Sequence, residues 1–203
     1  MQVKRTQGEL KRQRDALQQY ERYLPTLQLK KQQLQIEISH QQRTRADRKT
    51  ALSEKQRSAA SWLGLLVETP AIRQWLVVEN VNTGRKNIAG IEVPLFHSVD
   101  FVPAAYDLFL TPLWVDAGLD VLREMVSLQE EIRVIDQGIA VLNKELRVTS
   151  QRVNLFEKVK IPGAQEAIRL IRISLGDQMT NAVGRSKIAK KKIEEADYEE
   201  MAI

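Results

Sequence analysis

From Leu10 onward, apolar side chains return every seven residues, and nothing else in the sequence limits the fold as strongly. One series runs Leu10, Leu17, Leu24, Lys31, Ile38, Arg45, Leu52, Ala59 and Leu66; a second, offset by three, includes Tyr20, Leu27, Leu34 and Trp62. Such recurrence is the seam of a helix that buries one narrow stripe against another helix. The second half repeats it in purer form, with Leu128, Ile135, Leu142 and Phe156 in one series and Ile132, Ile139, Leu146 and Val153 in the other. With 5% aromatic and 28% charged residues, the chain lacks the bulky groups that fill a wide globular interior. Long helices with a thin core are expected.

The first seam weakens at "HQQRTRADRK", residues 40–49, where Gln41, Arg45 and Arg48 occupy stripe positions. A charge there loses apolar burial and must be hydrated or paired, which suggests that further partners enclose this stretch. Pro25 bends the first arm or marks where its helix begins. Pro162 should kink the second arm or interrupt its hydrogen bonds, after which the phase restarts at Ala164, Ile168, Ile171, Leu175 and Ala182.

Between the arms the pattern changes. "QWLVVENVN" (74–82) is rich in β-branched residues, "TGRKNIAG" (83–90) supplies turn residues, and "IEVPLFHSV" (91–99) alternates again, predicting two short strands around a loop. Pro94 confines its strand to an edge or an end. The expected fold is all-α dominated: a long antiparallel two-helix coiled coil with a small central β-hairpin. Its parts are an N-terminal coiled-coil helix over 1–72, the hairpin and an irregular connection over 73–113, and a C-terminal coiled-coil helix with a charged tail over 114–203.

The net charge of +5 is unevenly spread: residues 1–57 carry fourteen Lys and Arg against six acids. The C-terminal end splits into a basic block, Arg185 to Lys192, and an acidic one from Glu194 to Glu200. The basic arm suits nonspecific contact with nucleic acid, yet it has no reading motif and few interleaved aromatics. A free-standing coiled-coil scaffold is the other alternative. With no cysteine, disulfides and thiolate metal sites are excluded. His40 and His97 fall on different predicted elements, and no phosphate-cradling glycine loop is found. Glu130 and Glu131 diverge on a helix and form a solvated face. No catalytic residue, metal site or cofactor is expected. The N-terminal residues lack the apolar core of a signal peptide, and the longest uncharged apolar run, "WLGLLV" at 62–67, is too short to cross a bilayer. A soluble intracellular chain is expected.

Three stretches carry a family resemblance. "RVNLFEKVKIP" (152–162) resembles a block near the C-terminal end of the D subunit of V-type and A-type rotary ATPases, matching at Arg152, Val153, Asn154, Glu157, Ile161 and Pro162. "GIEVP" (90–94) is similar to the Gly-x-x-Val-Pro of that family's central hairpin, and "YLPTLQLKKQQLQIEI" (23–38) to its Leu-Lys-rich first helix. Gln151 stands where members often have a second Arg, and Pro25 interrupts a helix that many keep regular. The resemblance is closer to bacterial V-type members. It implies a central rotor shaft, itself not catalytic, between the hexamer of A and B subunits and the membrane ion ring. Implied partners are the A and B subunits, the F subunit, and the C or d subunit that links to the ring, with a cytoplasmic location peripheral to the membrane. On this reading Arg43, Arg45, Arg48, Lys49, Arg152, Asn154, Glu157, Pro162, Gly90, Val93 and Pro94 are candidate partner-interface residues.

Overall fold

The computed structural model describes residues 4–67, 70–107 and 111–201. Helix α1 spans Gln7–Ala59, strand β1 Val78–Ile88, strand β2 Ile91–Phe101 and helix α2 Trp114–Leu155. A π-turn follows at Phe156–Lys160, and helix α3 spans Ile161–Met201. Residue contacts gather the chain into two compact units, Met1–Gln28 with Gln151–Ile203 and Leu29–Ser150. The division 1–72, 73–113 and 114–203 follows chain order; these units follow what packs together.

Helix α1 begins where Thr6 Oγ1 accepts the Glu9 amide hydrogen at 3.3 Å. With Glu9 three residues after Thr6, the sequence has the capping-box spacing, and this start leaves Pro25 inside the helix. The helix ends at Ala59, so Trp62 and Leu66 leave the seam: Gly64 and Pro70 disfavour its continuation, and two short 3-10 turns, Leu63–Val67 and Pro70–Leu76, replace it.

Within Leu29–Ser150 the helices run antiparallel, as cross-helix pairs show: Lys30 meets Glu145, Arg45 meets Asp136, Arg48 meets Glu131 and Lys55 meets Glu124. One buried cluster joins Leu34, Ile38 and Leu142 with Val93 of the hairpin, and Ile88, Ala89, Ile91 and Leu146 pack around it. A second joins Ile72, Val115 and Leu119 and draws in Leu66, Trp75, Tyr106 and Trp114. The chain's three tryptophans all serve this second region: Trp62 lies 6.4 Å from Trp114 and Trp75 lies 4.5 Å from Tyr106, centroid to centroid. Tilted ring pairs of this kind give the irregular connections a core of their own. Arg123 ties them down, donating to the carbonyls of Trp75 (3.3 Å) and Val102 (3.4 Å) beneath the Phe101 ring.

The hairpin is longer and its turn tighter than the sequence predicts. Residues 83–88, read as loop, belong to β1, and the turn proper is Ala89–Gly90. Both turn residues have positive φ, 52° and 81°, as a two-residue hairpin turn requires. Gly90 adopts this without strain, whereas Ala89 does so while its methyl packs on the first cluster. Two register irregularities, at Val78/Asn80 and Asn82/Thr83, let a turn-rich sequence stay paired. Because the sheet has two strands, each has a free edge, and Pro94 is accommodated opposite Arg85.

Val93 fixes the hairpin to the helices. It is 2% exposed, and a Cβ added at Gly138 of α2 would stand 2.8 Å from its Cγ1. Gly138 is therefore a notch for Val93, kept although glycine within a helix costs about 1 kcal/mol relative to alanine. Gly138→Ala should destabilise the fold by about 1 kcal/mol net, because overpacking of about 1–3 kcal/mol exceeds the gain in helix propensity. Val93→Ala should cost about 2 kcal/mol. In a double-mutant cycle by urea denaturation the two losses should be sub-additive by at least about 0.5 kcal/mol; strict additivity would show that the notch does not hold the valine.

Candidate functional site

The basic cluster of α1 divides in two. Arg45 Nη1 lies 2.8 Å from Asp136 Oδ1, and Arg48 Nε lies 2.9 Å from Glu131 Oε1. Lys55 pairs with Glu124, and Lys30 Nζ lies 3.1 Å from Glu145 Oε1. The charges that loosen the seam on paper, Arg45 and Arg48, are therefore answered within the chain by acids on α2. Exposed ion pairs contribute about 0.2–1 kcal/mol each, whereas burying Leu or Ile at such a position contributes about 1.5–3 kcal/mol. The ladder thus sets antiparallel register more than it adds stability. Arg43 and Lys49 are exposed, and among the described residues neither is in an ion pair. Arg43 borders a shallow groove with Ile36, Ser39 and His40, where Ile36 is 71% exposed.

In the unit that contains Gln151–Ile203, the block "RVNLFEKVKIP" has three inward members. Val153 is buried, Ile161 is half-buried, and Phe156 is half-buried with its ring 5.3 Å from Tyr20 of α1. Arg152, Asn154, Glu157 and Pro162 are exposed, on a surface that also presents Leu155 and Val159. The local cause is Pro162. Without an amide hydrogen it cannot donate to the Lys158 carbonyl, and the turn before it widens so that Ile161 N–H donates to Phe156 O. A π-turn adds one residue. Both stripes accordingly shift by one: Phe156 is followed eight residues later by Ala164, and Val153 by Ile161, after which spacings of seven return at Ile171 and Ile168. Ala164, Ile168 and Ile171 are all buried. The phase restart expected from the sequence thus has a definite size and cause.

The hairpin candidates behave differently. Gly90 is exposed at the turn and Pro94 is half-buried, but Val93 is spent inside the chain's own core. Gly90 serves the turn, Val93 the notch and Pro94 a free edge, so "GIEVP" reads as a docking device of the hairpin. Sequence reasoning missed the receiving partner, Gly138, although a glycine within an otherwise regular apolar pattern is its signal. It also missed Arg123, whose role depends on carbonyls that only the folded connections bring near. His40 and His97 are both exposed, and among the described residues no three metal-ligating side chains gather.

The chain matches the family model that describes the D subunit of ATP synthase, over residues 9–191. It is 41% identical over 191 residues to the V-type ATP synthase D subunit of Borreliella burgdorferi, covering 94% of this chain and 95% of the relative. The protein of the same name from Chlamydia pneumoniae is 34% identical over 197 residues, with coverages of 96% and 94%. The chain belongs to the D-subunit family of ATP synthases. Its likeness to V-type D subunits extends to a strain of Chlamydia trachomatis serovar L2, at 35% over 198 residues with coverages of 96% and 97%. Among the described residues of this D-family chain, no helix is long and apolar enough to cross a membrane.

Two outcomes are expected. Reversing one pair, Arg48→Glu, should lower stability by about 1 kcal/mol, and adding Glu131→Arg should restore most of that loss in thermal denaturation; failure of the double exchange to rescue would remove the ladder's register role. Tyr106 donates to Asp116, and this hydrogen bond, followed by burial, raises its pKa above the usual tyrosine value. Since the folded value is the higher one, the stabilisation is complete below pH about 10 and is lost as pH rises through the folded value. In an alkaline absorbance titration one of the four tyrosines should ionise late, and Tyr106→Phe should abolish that late component.

Proposed function

We propose that this chain is the central rotor shaft of a V-type proton- or sodium-translocating ATPase or ATP synthase. It is non-catalytic and transmits torque between the A/B hexamer and the membrane ion ring. It works on the cytoplasmic side, peripheral to the membrane, and the F subunit and the C or d subunit are its remaining partners. Membership of the D-subunit family is the observation that carries this reading. The pairing of antiparallel helices supports it mechanically, since two helices locked by a seam and a register-setting ladder resist twist better than one. A single chain is also asymmetric, so as it turns it presents different faces to otherwise equivalent catalytic sites.

On this reading the residues that meet the sleeve are those the fold leaves outside: Arg43 and Lys49 on α1, and Arg152, Asn154, Glu157 and Pro162 around the π-turn. Arg45 and Arg48 add positive potential at the first surface while holding register, and Gly90 and Pro94 belong to a hairpin surface anchored through Val93. Native mass spectrometry of the chain mixed with its cognate A and B subunits tests the assignment. One copy per three A and three B subunits, with ATPase activity altered by its presence, is the expected result. Failure to form a complex, or several copies bound to the outside, overturns it in favour of a scaffold. With Arg43→Glu and Lys49→Glu combined, the complex should form more weakly or hydrolyse ATP with poorer coupling; unchanged assembly and coupling would remove that surface from the interface.

A further inference from the structure

Two faults in the helical hydrogen-bond ladder occur together in the unit formed by Met1–Gln28 and Gln151–Ile203. On α1, Pro25 leaves the Glu21 carbonyl without its usual amide partner, and the Thr26 hydroxyl donates to the Tyr23 carbonyl at 2.8 Å. Proline and side-chain bonding to backbone carbonyls are both recognised causes of helix bending. On the facing chain segment the π-turn at Phe156–Lys160 precedes Pro162. Contact between Tyr20 and Phe156 joins the two segments between their faults: in an antiparallel pair Pro25, five residues beyond Tyr20 and about 7.5 Å along α1, lies to one side of it, and the π-turn that begins at Phe156 runs to the other.

Side-chain packing is also thin over the same span. The π-turn contains no buried residue, and between Val153 and Ala164 no side chain is fully buried. On α1 the described residues before Leu34 include none that is buried. Elsewhere along α2 and α3 the seam is closed by Ile132, Ile135, Ile139 and Leu142 on one side and Ala164, Ile168 and Ile171 on the other. Nor does the proline force a helix end: Leu155 and Ile161, flanking the π-turn, keep right-handed helical dihedrals. The chain thus carries a continuous helix whose ladder and packing are both reduced in one short interval.

We infer that the faults at Pro25 and Phe156–Pro162, which flank the Tyr20–Phe156 contact, form a compliant segment, where this helix pair opens, bends and twists in preference to its aliphatic stretches. Local opening follows low burial and weakened backbone bonding. The one-residue insertion keeps the seam in phase beyond the fault, so compliance is gained without exposing the stripe of α3. On the rotor reading, on which only this consequence rests, the segment is where the shaft yields under torque.

Hydrogen exchange by mass spectrometry on the isolated full-length chain tests the inference without requiring assembly. Amides of residues 154–162 are expected to exchange at least about tenfold faster than those of 132–146 and of 164–171. Deletion of Val159 with Pro162→Ala removes the extra residue, restores spacings of seven from Phe156 and Val153, and should slow exchange in the interval by about tenfold. Pro25→Ala, which leaves the π-turn intact, should slow exchange around residues 20–28 and across from them. A wild-type pattern in which 154–162 is protected as well as both flanks overturns the inference, with no variant needed. So does a folded, repaired chain whose exchange in the interval is unchanged. Because these readouts concern the chain alone, they can fail while the hexamer assembly succeeds, or hold while it fails.

Discussion

Burial of a stripe only two side chains wide holds each unit together, and its narrowness governs almost everything else in the molecule. A wide core absorbs a misplaced polar group among many neighbours; a seam cannot. A charge in the stripe therefore calls for a specific answer in the partner helix. Arg45, Arg48 and Lys55 receive theirs from Asp136, Glu131 and Glu124. The answer is weak in free energy beside leucines at the same positions. What it supplies is discrimination, since sliding the helices by one heptad would misalign every one of these pairs, whereas an all-leucine seam would tolerate the slip.

The same narrowness explains the hairpin. Two strands alone are marginal in water, and a two-helix seam offers little surface for them to rest on. Val93 solves both problems by entering the core beside Leu34, Ile38 and Leu142, over a helix position with no side chain. A larger residue at 138 would close the entrance, and a smaller one at 93 would leave it empty. The helix pair and hairpin are thereby one cooperative object within Leu29–Ser150.

Helices were legible because a seven-residue recurrence is a direct imprint of helical geometry, and the hairpin because its composition breaks that recurrence. Its turn was misread for a physical reason: Thr83, Gly84 and Asn87 favour turns locally, but cross-strand pairing with Phe96, Leu95 and Glu92 overrides them. The end of α1 was read too late because Trp62 and Leu66 continue the stripe in phase while packing in the irregular connections. The missed residues share one character. Gly138 and Arg123 act through partners distant in sequence, and nothing in their immediate neighbours announces which partner the fold will supply. The candidate surface was legible only in part, since the sequence names cations but not which of them the chain will neutralise.

That distinction changes how a family-like motif should be weighed. Three stretches pointed to one family, yet they do different physical work. "GIEVP" is consumed by the fold, its valine buried and its proline placed on a free strand edge. "RVNLFEKVKIP" is divided: Val153 and Phe156 complete the seam, Pro162 sets the one-residue phase shift, and Arg152, Asn154 and Glu157 remain outside with no buried role. Substitution of the first kind of residue disturbs folding wherever it is measured. Substitution of the second kind should leave the isolated chain intact and matter only when a partner is present, so the exposed members of the second motif carry the more specific information about what this chain touches.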